Sequence, residues 1–227
     1  MTASDDQIKT SLERIKQSLP AEVTLVAVSK THPATAIEAA YVTGHRVFGE
    51  NKVQELAEKW EKLPKDIEWH LIGHLQTNKV KYIAPFVSMI HAVDSEKLLK
   101  EINKRAKNEG RTIRVLLQLH IAEEQSKFGF SPEELMELVN SGKLEHFDHL
   151  SFSGLMGMAT FTEDESQVRR EFTLLKNLFD EVKVSGKFDE SFAHISMGMS
   201  GDYPIAIEEG STMIRVGSSI FGARDYT

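Results

Sequence analysis

The sequence predicts an α/β protein built as a single-domain (β/α)8 TIM barrel, and three observations carry that expectation. Eight short apolar segments alternate with amphipathic helical stretches along the 227 residues. Several of those segments, Thr24–Val28 and Ile113–Leu119 above all, are almost continuously apolar, as strands are when both faces of a parallel sheet are covered. No G-x-G-x-x-G follows the first strand, and no Pro/Ser-rich linker or break in composition divides the chain. Those features favour a closed barrel over an open doubly wound sheet, and one domain over residues 1–227.

A helix at about 4–18 opens the chain, with Ile8, Leu12 and Ile15 at helical spacing. The strand candidates are Thr24–Val28, Arg46–Phe48, Glu68–Ile72, Met89–Val93, Ile113–Leu119, Leu150–Met156, Phe192–Ile195 and Met213–Val216. Between the first two, Pro33 suits the first turn of a helix closed by Gly44. Val53, Leu56, Ala57 and Trp60 then follow the i, i+3, i+4, i+7 stripe, and Leu98, Leu99, Ile102 and Ala106 form another that ends at Gly110. Ser131-Pro132-Glu133-Glu134 joins a capping box to a proline at the first helical position, and Gly142 stops that helix. Thr162 and Glu165 repeat the capping-box spacing ahead of Val168, Phe172, Leu175, Phe179 and Val182.

Composition narrows the function classes. Against 34 Asp and Glu stand 27 Lys and Arg, a net charge of -7 that argues against nucleic acid or an anionic membrane as the main partner. Cysteine is absent, so a disulfide framework, a thiolate nucleophile and a Cys-based metal centre are excluded, which fits a cytoplasmic protein. The first residues lack the apolar core of a signal peptide, and no apolar run approaches the length of a membrane span.

Three features bear chemistry. Lys30 closes the apolar run from Val23 to Ser29 and precedes Thr31-His32-Pro33, so an amine sits where a buried strand hands over to a helix. A lysine at the rim of an apolar core has a depressed pKa unless it is paired, and such an amine forms Schiff bases with carbonyl compounds; the plainer alternative is a side chain that snorkels to solvent. In a barrel of this class the active face is built by the loops after the strands, with phosphate commonly held after the seventh and eighth. Those loops read Ser196-Met-Gly198-Met-Ser200-Gly201-Asp202 and Gly217-Ser218-Ser219-Ile-Phe-Gly222, rich in backbone N–H groups and hydroxyls that suit an anion. Ala223 stands where a Walker A lysine would be, which rejects an NTP-binding loop. Arg215, inside the apolar Met213–Val216, needs either a barrel carboxylate or a ligand nitrogen, because a guanidinium does not shed its charge.

Together these describe a site for a phosphorylated carbonyl compound. Pyridoxal 5'-phosphate (PLP) suits every part, with an aldehyde for the lysine, a phosphate for the loops and a pyridine nitrogen for the arginine. A Schiff-base aldolase for sugar phosphates would use the lysine and the loops and leave Arg215 without a task.

The motifs Val26-Ala-Val-Ser-Lys30, Phe48-Gly-Glu-Asn51, Trp69-His-Leu-Ile-Gly-His-Leu-Gln-Thr-Asn-Lys79, Gly154-Leu-Met-Gly-Met158, Ser196-Met-Gly-Met-Ser-Gly-Asp202 and Arg215-Val-Gly-Ser-Ser-Ile-Phe-Gly222 resemble the YggS/PROSC family of pyridoxal phosphate homeostasis proteins. The resemblance runs from about Leu25 to Tyr226. It implies a PLP barrel of fold type III, like the N-terminal domain of alanine racemase, with Lys30 carrying PLP as a Schiff base. It further implies phosphate contacts from Ser196 or Ser200 and from Gly217 and Ser218, with Arg215 facing the pyridine nitrogen and Asn51 beside the cofactor. Members of that family are regarded as carriers or regulators of PLP, so the expected function is to buffer or deliver the cofactor, with PLP-dependent apoenzymes as acceptors and the chain acting as a monomer. The alternative is an enzyme, either a minimal amino-acid racemase or a Schiff-base lyase. Racemases of this fold type add a second β domain, which a chain ending soon after its eighth strand is expected to lack.

Other histidines and lysines weigh less. His70 and His74 are four apart but lack the glutamate of H-E-x-x-H and straddle Gly73, so metal binding is not expected; the family resemblance implies that His74 and Asn78 belong to a loop after the third strand that shapes the cofactor mouth. His146 and His149 precede the sixth strand, at the opposite end of a barrel from its active face. Lys127 follows the fifth strand and reads as a solvated loop lysine, or as a second amine that captures or releases PLP.

Overall fold

The computed structural model describes residues 3–123 and 128–223. Lys127 therefore lies outside the described residues. Among them, eight parallel strands pair in sequence order and the eighth returns to the first, closing the barrel. The closing seam sets Thr24, Leu25, Val26 and Ala27 of β1 (Thr24–Val28) beside Met213, Ile214, Arg215 and Val216 of β8 (Met213–Val216).

The period-2 alternation of strands divides the apolar residues into two layers. Leu25 and Ala27 face outward to a core shared with the helices, while Val26 and Val28 join Ile72, Met89, Leu116, Met156 and Met213 in a smaller interior cluster. Continuous apolar runs in the sequence are thus two alternating sets, each with its own cover. Trp69, Phe48 and Phe172 are fully buried between strands and helices; burial of side chains this size contributes roughly 1.5–3 kcal/mol each.

Helix α1 (Asp5–Ser18) buries Ile8, Leu12 and Ile15 against α2 (Ala34–Tyr41) and α8 (Ser218–Phe221). Its start is fixed by a reciprocal capping box between Ser4 and Gln7. Ser131 and Glu134 form the expected box at α5 (Pro132–Asn140). At α6 (Glu165–Val184) the cap differs from expectation: the Asp164 carboxylate accepts from the N–H groups of Ser166 and Gln167, and Thr162 Oγ1 accepts from the Asp164 N–H. A carboxylate satisfies the same orphan donors and adds its charge at the positive helix end, so it displaces the hydroxyl.

Four strands have the expected bounds and four are shifted at their ends. β2 runs over Val47–Glu50, beyond the expected Arg46–Phe48, because Glu50 is buried and bonded instead of ending the strand in solvent. β3 (Glu68–Leu71) and β5 (Ile113–Gln118) each stop one residue early, and Leu119 makes an isolated bridge to Phe130. β7 is only His194–Ser196; Phe192 lies before it, stacked between Phe179 and Phe188. The connection after β3 contains a 3₁₀ turn, Thr77–Tyr82.

Between β6 (Leu150–Met156) and β7 the backbones approach so closely that a Cβ on Gly154 would sit 1.8 Å from the His194 carbonyl oxygen. With φ at 146°, Gly154 takes a conformation reserved for glycine. This contact aligns Met156 with Ser196 at the mouth of the barrel.

Candidate functional site

The C-terminal strand ends surround a cavity of about 680 Å³. Lys30 reaches it from the residue pair that follows β1, Asn51 from the end of β2, Ser200 from the loop after β7, and Gly217 and Ser218 from the turn after β8. Arg215 reaches it from within β8. Six of the seven residues singled out from the sequence therefore border one space. Ser196 does not: it is fully buried at the end of β7.

Arg215 explains where Ser196 goes. One terminal nitrogen donates to the Ser196 carbonyl oxygen at 2.8 Å and to Ser196 Oγ at 2.6 Å, and the other donates to the Gly157 carbonyl oxygen at 3.1 Å. These take three of the five guanidinium N–H groups, and the acceptors are a hydroxyl and two carbonyls, not the barrel carboxylate that was one of the two expectations. Burial lowers the Arg215 pKa to about 10, so it remains a cation at neutral pH. Burial also raises the Asp202 carboxyl, which borders the same cavity and accepts from the Met199 N–H at 2.5 Å.

The two glycine-serine loops are tied together. The Gly217 N–H donates to Ser200 Oγ at 3.2 Å, so that hydroxyl keeps its own proton for another acceptor. A Cβ on Gly217 would lie 3.0 Å from the Val28 carbonyl, and one on Gly73 would lie 2.6 Å from the Asn51 carbonyl. The small residues let the loops after β8 and β3 pack directly on the backbone that leads to Lys30 and Asn51. The Ser218 and Ser219 N–H groups, which open α8, have no acceptor within that helix.

His70 and His74 diverge. His74 borders the cavity, with Nδ1 3.0 Å from Asp94 Oδ2 and its ring against Phe128. Asn78, expected beside it, lies away from this cavity among the residues Thr77, Lys97 and Glu101. His70 lies inside the barrel, where Ser196 Oγ, His91 Nδ1, His91 Nε2 and His70 Nδ1 form a chain with steps of 3.0 Å. Burial drives His70 down to about 3 and holds His91 well below its ordinary value, so both are neutral at pH 7. His149 contacts the Arg111 carbonyl at the opposite barrel end.

The sequence reading passed over a second polar group, in which Ser29, Glu50 and Lys59 are buried and the partly exposed Glu55 joins them. The available signal was the Glu55 and Lys59 pair, four apart in α3 (Val53–Lys62), which on sequence alone describes a solvated helix face.

The alanine racemase, N-terminal domain family matches residues 4–225. A pyridoxal phosphate homeostasis protein of Aquifex aeolicus is 41% identical over 203 residues, covering 89% of this chain and 87% of its own. One from Homo sapiens is 38% identical over 242 residues, covering 100% of this chain and 86% of its own. PipY of Synechococcus elongatus, solved with PLP bound, superposes with a TM-score of 0.86 at 35% identity, covering 95% of this chain and 100% of its own. With matches over nearly the whole chain, the protein belongs to the alanine racemase N-terminal domain family and, among its members, to the pyridoxal phosphate homeostasis proteins.

Proposed function

We propose that the protein holds pyridoxal 5'-phosphate in this cavity and serves its homeostasis, buffering the cofactor or delivering it, without turning over a substrate of its own. The observation that carries the reading is that an amine, a buried guanidinium and two linked glycine-serine loops border one space. PLP bound there would supply an aldehyde carbon as electrophile. Lys30 provides the amine for it. Ser200 and Ser218 provide hydroxyl and N–H donors for the phosphate, Gly217 lets the backbone approach it while its own N–H holds Ser200, and Asn51 lies beside the cofactor. The relatives named for PLP homeostasis and the PLP-bound PipY support the same assignment.

Arg215 is compatible with storage. A cation donating toward a pyridine nitrogen disfavours protonation of that nitrogen, and the unprotonated ring withdraws electrons less strongly. Ser196 then acts behind Arg215, holding the guanidinium. PLP-dependent apoenzymes are the acceptors in this reading, the protein works as a monomer, and the compartment is the cytoplasm. Among the described residues no helix is long and apolar enough to cross a membrane.

The test is the visible spectrum of the protein with PLP, followed by transfer to an acceptor apoenzyme. The expected result is an absorption band that Lys30→Ala abolishes, a borohydride-trapped adduct on Lys30, and reactivation of the acceptor. Racemisation or elimination of amino acids at useful rates would overturn the carrier role while leaving the site in place.

A further inference from the structure

Lys59 Nζ has three N–H donors and three oxygen partners: the Ser29 carbonyl at 2.8 Å, Glu50 Oε1 at 2.7 Å and Glu55 Oε1 at 2.6 Å. All three partners lead to the residues flanking Lys30. Ser29 precedes it; besides its backbone bonds to Gly49 and His32, it is held by its carbonyl on Lys59 and by its hydroxyl, which donates to Glu50 Oε1 at 2.6 Å. Thr31 follows it, and its N–H donates to Glu55 Oε1 at 2.6 Å.

Thr31 has φ at 68°, the only positive value outside glycine among the described residues. A β-branched residue adopts that left-handed conformation only where its surroundings impose it, and such imposed strain concentrates at functional sites. The turn is closed by the His32 N–H on the Ser29 carbonyl at 3.1 Å, and the Thr31 N–H in it is held by a charge-assisted bond to a carboxylate that is itself anchored on a buried ammonium. The Lys59 side chain is 8% exposed and that of Glu50 fully buried, so the anchor is enclosed. None of these groups borders the cavity.

We propose that Lys59 and Glu55, backed by Glu50, are positioning residues that clamp the chain on both sides of Lys30 and thereby aim its amine into the cavity. The clamp holds Ser29 from the strand side and braces the turn at Thr31 from the helix side. Lys30 is then the one residue between two fixed points, and its side chain leaves the backbone in a set direction. This inference rests on the reading that Lys30 carries the cofactor.

The decisive variant is Glu55→Ala in the full chain, because Glu55 is partly exposed on α3 and its loss leaves the enclosed Lys59 and Glu50 pair intact. In the cofactor-free protein, faster hydrogen exchange of the Thr31 amide is expected. With PLP, the dissociation constant read from the visible band should rise about tenfold, the scale of one charge-assisted hydrogen bond. Glu55→Gln keeps a carbonyl oxygen for the Thr31 N–H and should recover most of that loss. The double variant Glu55→Ala with Thr31→Gly should recover it too, since glycine takes a positive φ without help; a merely stabilising role for Glu55 would not respond to that second change. Wild-type affinity in Glu55→Ala, or no recovery in the double variant, overturns the clamp. If Lys30→Ala itself keeps the band, the underlying assignment of Lys30 has failed instead.

Discussion

Arg215 and Ser196 form a bidentate pair within the barrel, the guanidinium donating to both the carbonyl and the hydroxyl of the serine. The pair converts a loop serine into a structural acceptor. It also couples the cavity to the barrel interior, because Ser196 Oγ continues to His91 and His91 continues to His70. A lone arginine between apolar strands would be mobile and poorly solvated; one whose terminal nitrogens are both occupied has a fixed plane.

Ser196 and Ser200 are therefore expected to respond differently to removal of their hydroxyls. Ser200→Ala should weaken PLP about tenfold while leaving unphosphorylated pyridoxal nearly unaffected, because one hydrogen bond to a charged group is lost. Ser196→Ala should weaken both vitamers by a similar, smaller factor and shift the visible band, since it disturbs the guanidinium. Titrating both variants with both vitamers checks this. An equal PLP-to-pyridoxal ratio in the two variants would refute the division of labour.

Gly154 is expected to accept no side chain. Alanine there would place Cβ 1.8 Å from the His194 carbonyl and hold a φ of 146° that L-residues rarely adopt. The strands β6 and β7 would have to separate, with a loss of about 4 kcal/mol or more. Urea unfolding followed by circular dichroism should show a collapsed midpoint or an insoluble product. Gly186→Ala is the control: its φ of 68° is also strained, but its Cβ would meet no atom within 4 Å, so only a small loss is expected.

The barrel was legible because its signals are local and repeated. Apolar runs, capping boxes at Ser131 and stripes such as Leu98, Leu99, Ile102 and Ala106 each act over a few residues, and they survive folding unchanged. Lys30 and Arg215 were legible because a cation inside an apolar run is an anomaly in the chain itself. Ser196 was not distinguishable from Ser200, since the two lie four apart in one serine-glycine run and only the third dimension ends β7 at the first and puts Arg215 against it. Glu50 and Lys59 were hidden for the same reason. Each sits where a polar residue normally meets water, and their burial arises from a strand end and a helix that converge on Ser29.

The last expectation concerns acid. His70 and His45 are driven down by burial to about 3 and about 4, and His91 lies well below its ordinary value for the same reason. In the unfolded chain these rings titrate near 6.5, so between that pH and their folded values the unfolded state binds more protons and stability falls as pH falls. A shift of the size at His45 corresponds to roughly 3 kcal/mol at full expression. Glu50 opposes them: burial raises it to about 7 against the pull of Lys59, so its contribution is fully present below about pH 4.5 and is lost as pH rises through 7. These histidines, with His194 also lowered by burial, outweigh the two raised carboxyls, Glu50 and Asp202, across the shared window. The urea midpoint should therefore climb from pH 4 to about 6.5 and then stop climbing, with a shallow decline toward pH 8 from Glu50. His70→Gln, which keeps a donor and an acceptor without titrating, should flatten the acid limb, and an unchanged limb in that variant would remove His70 as its cause.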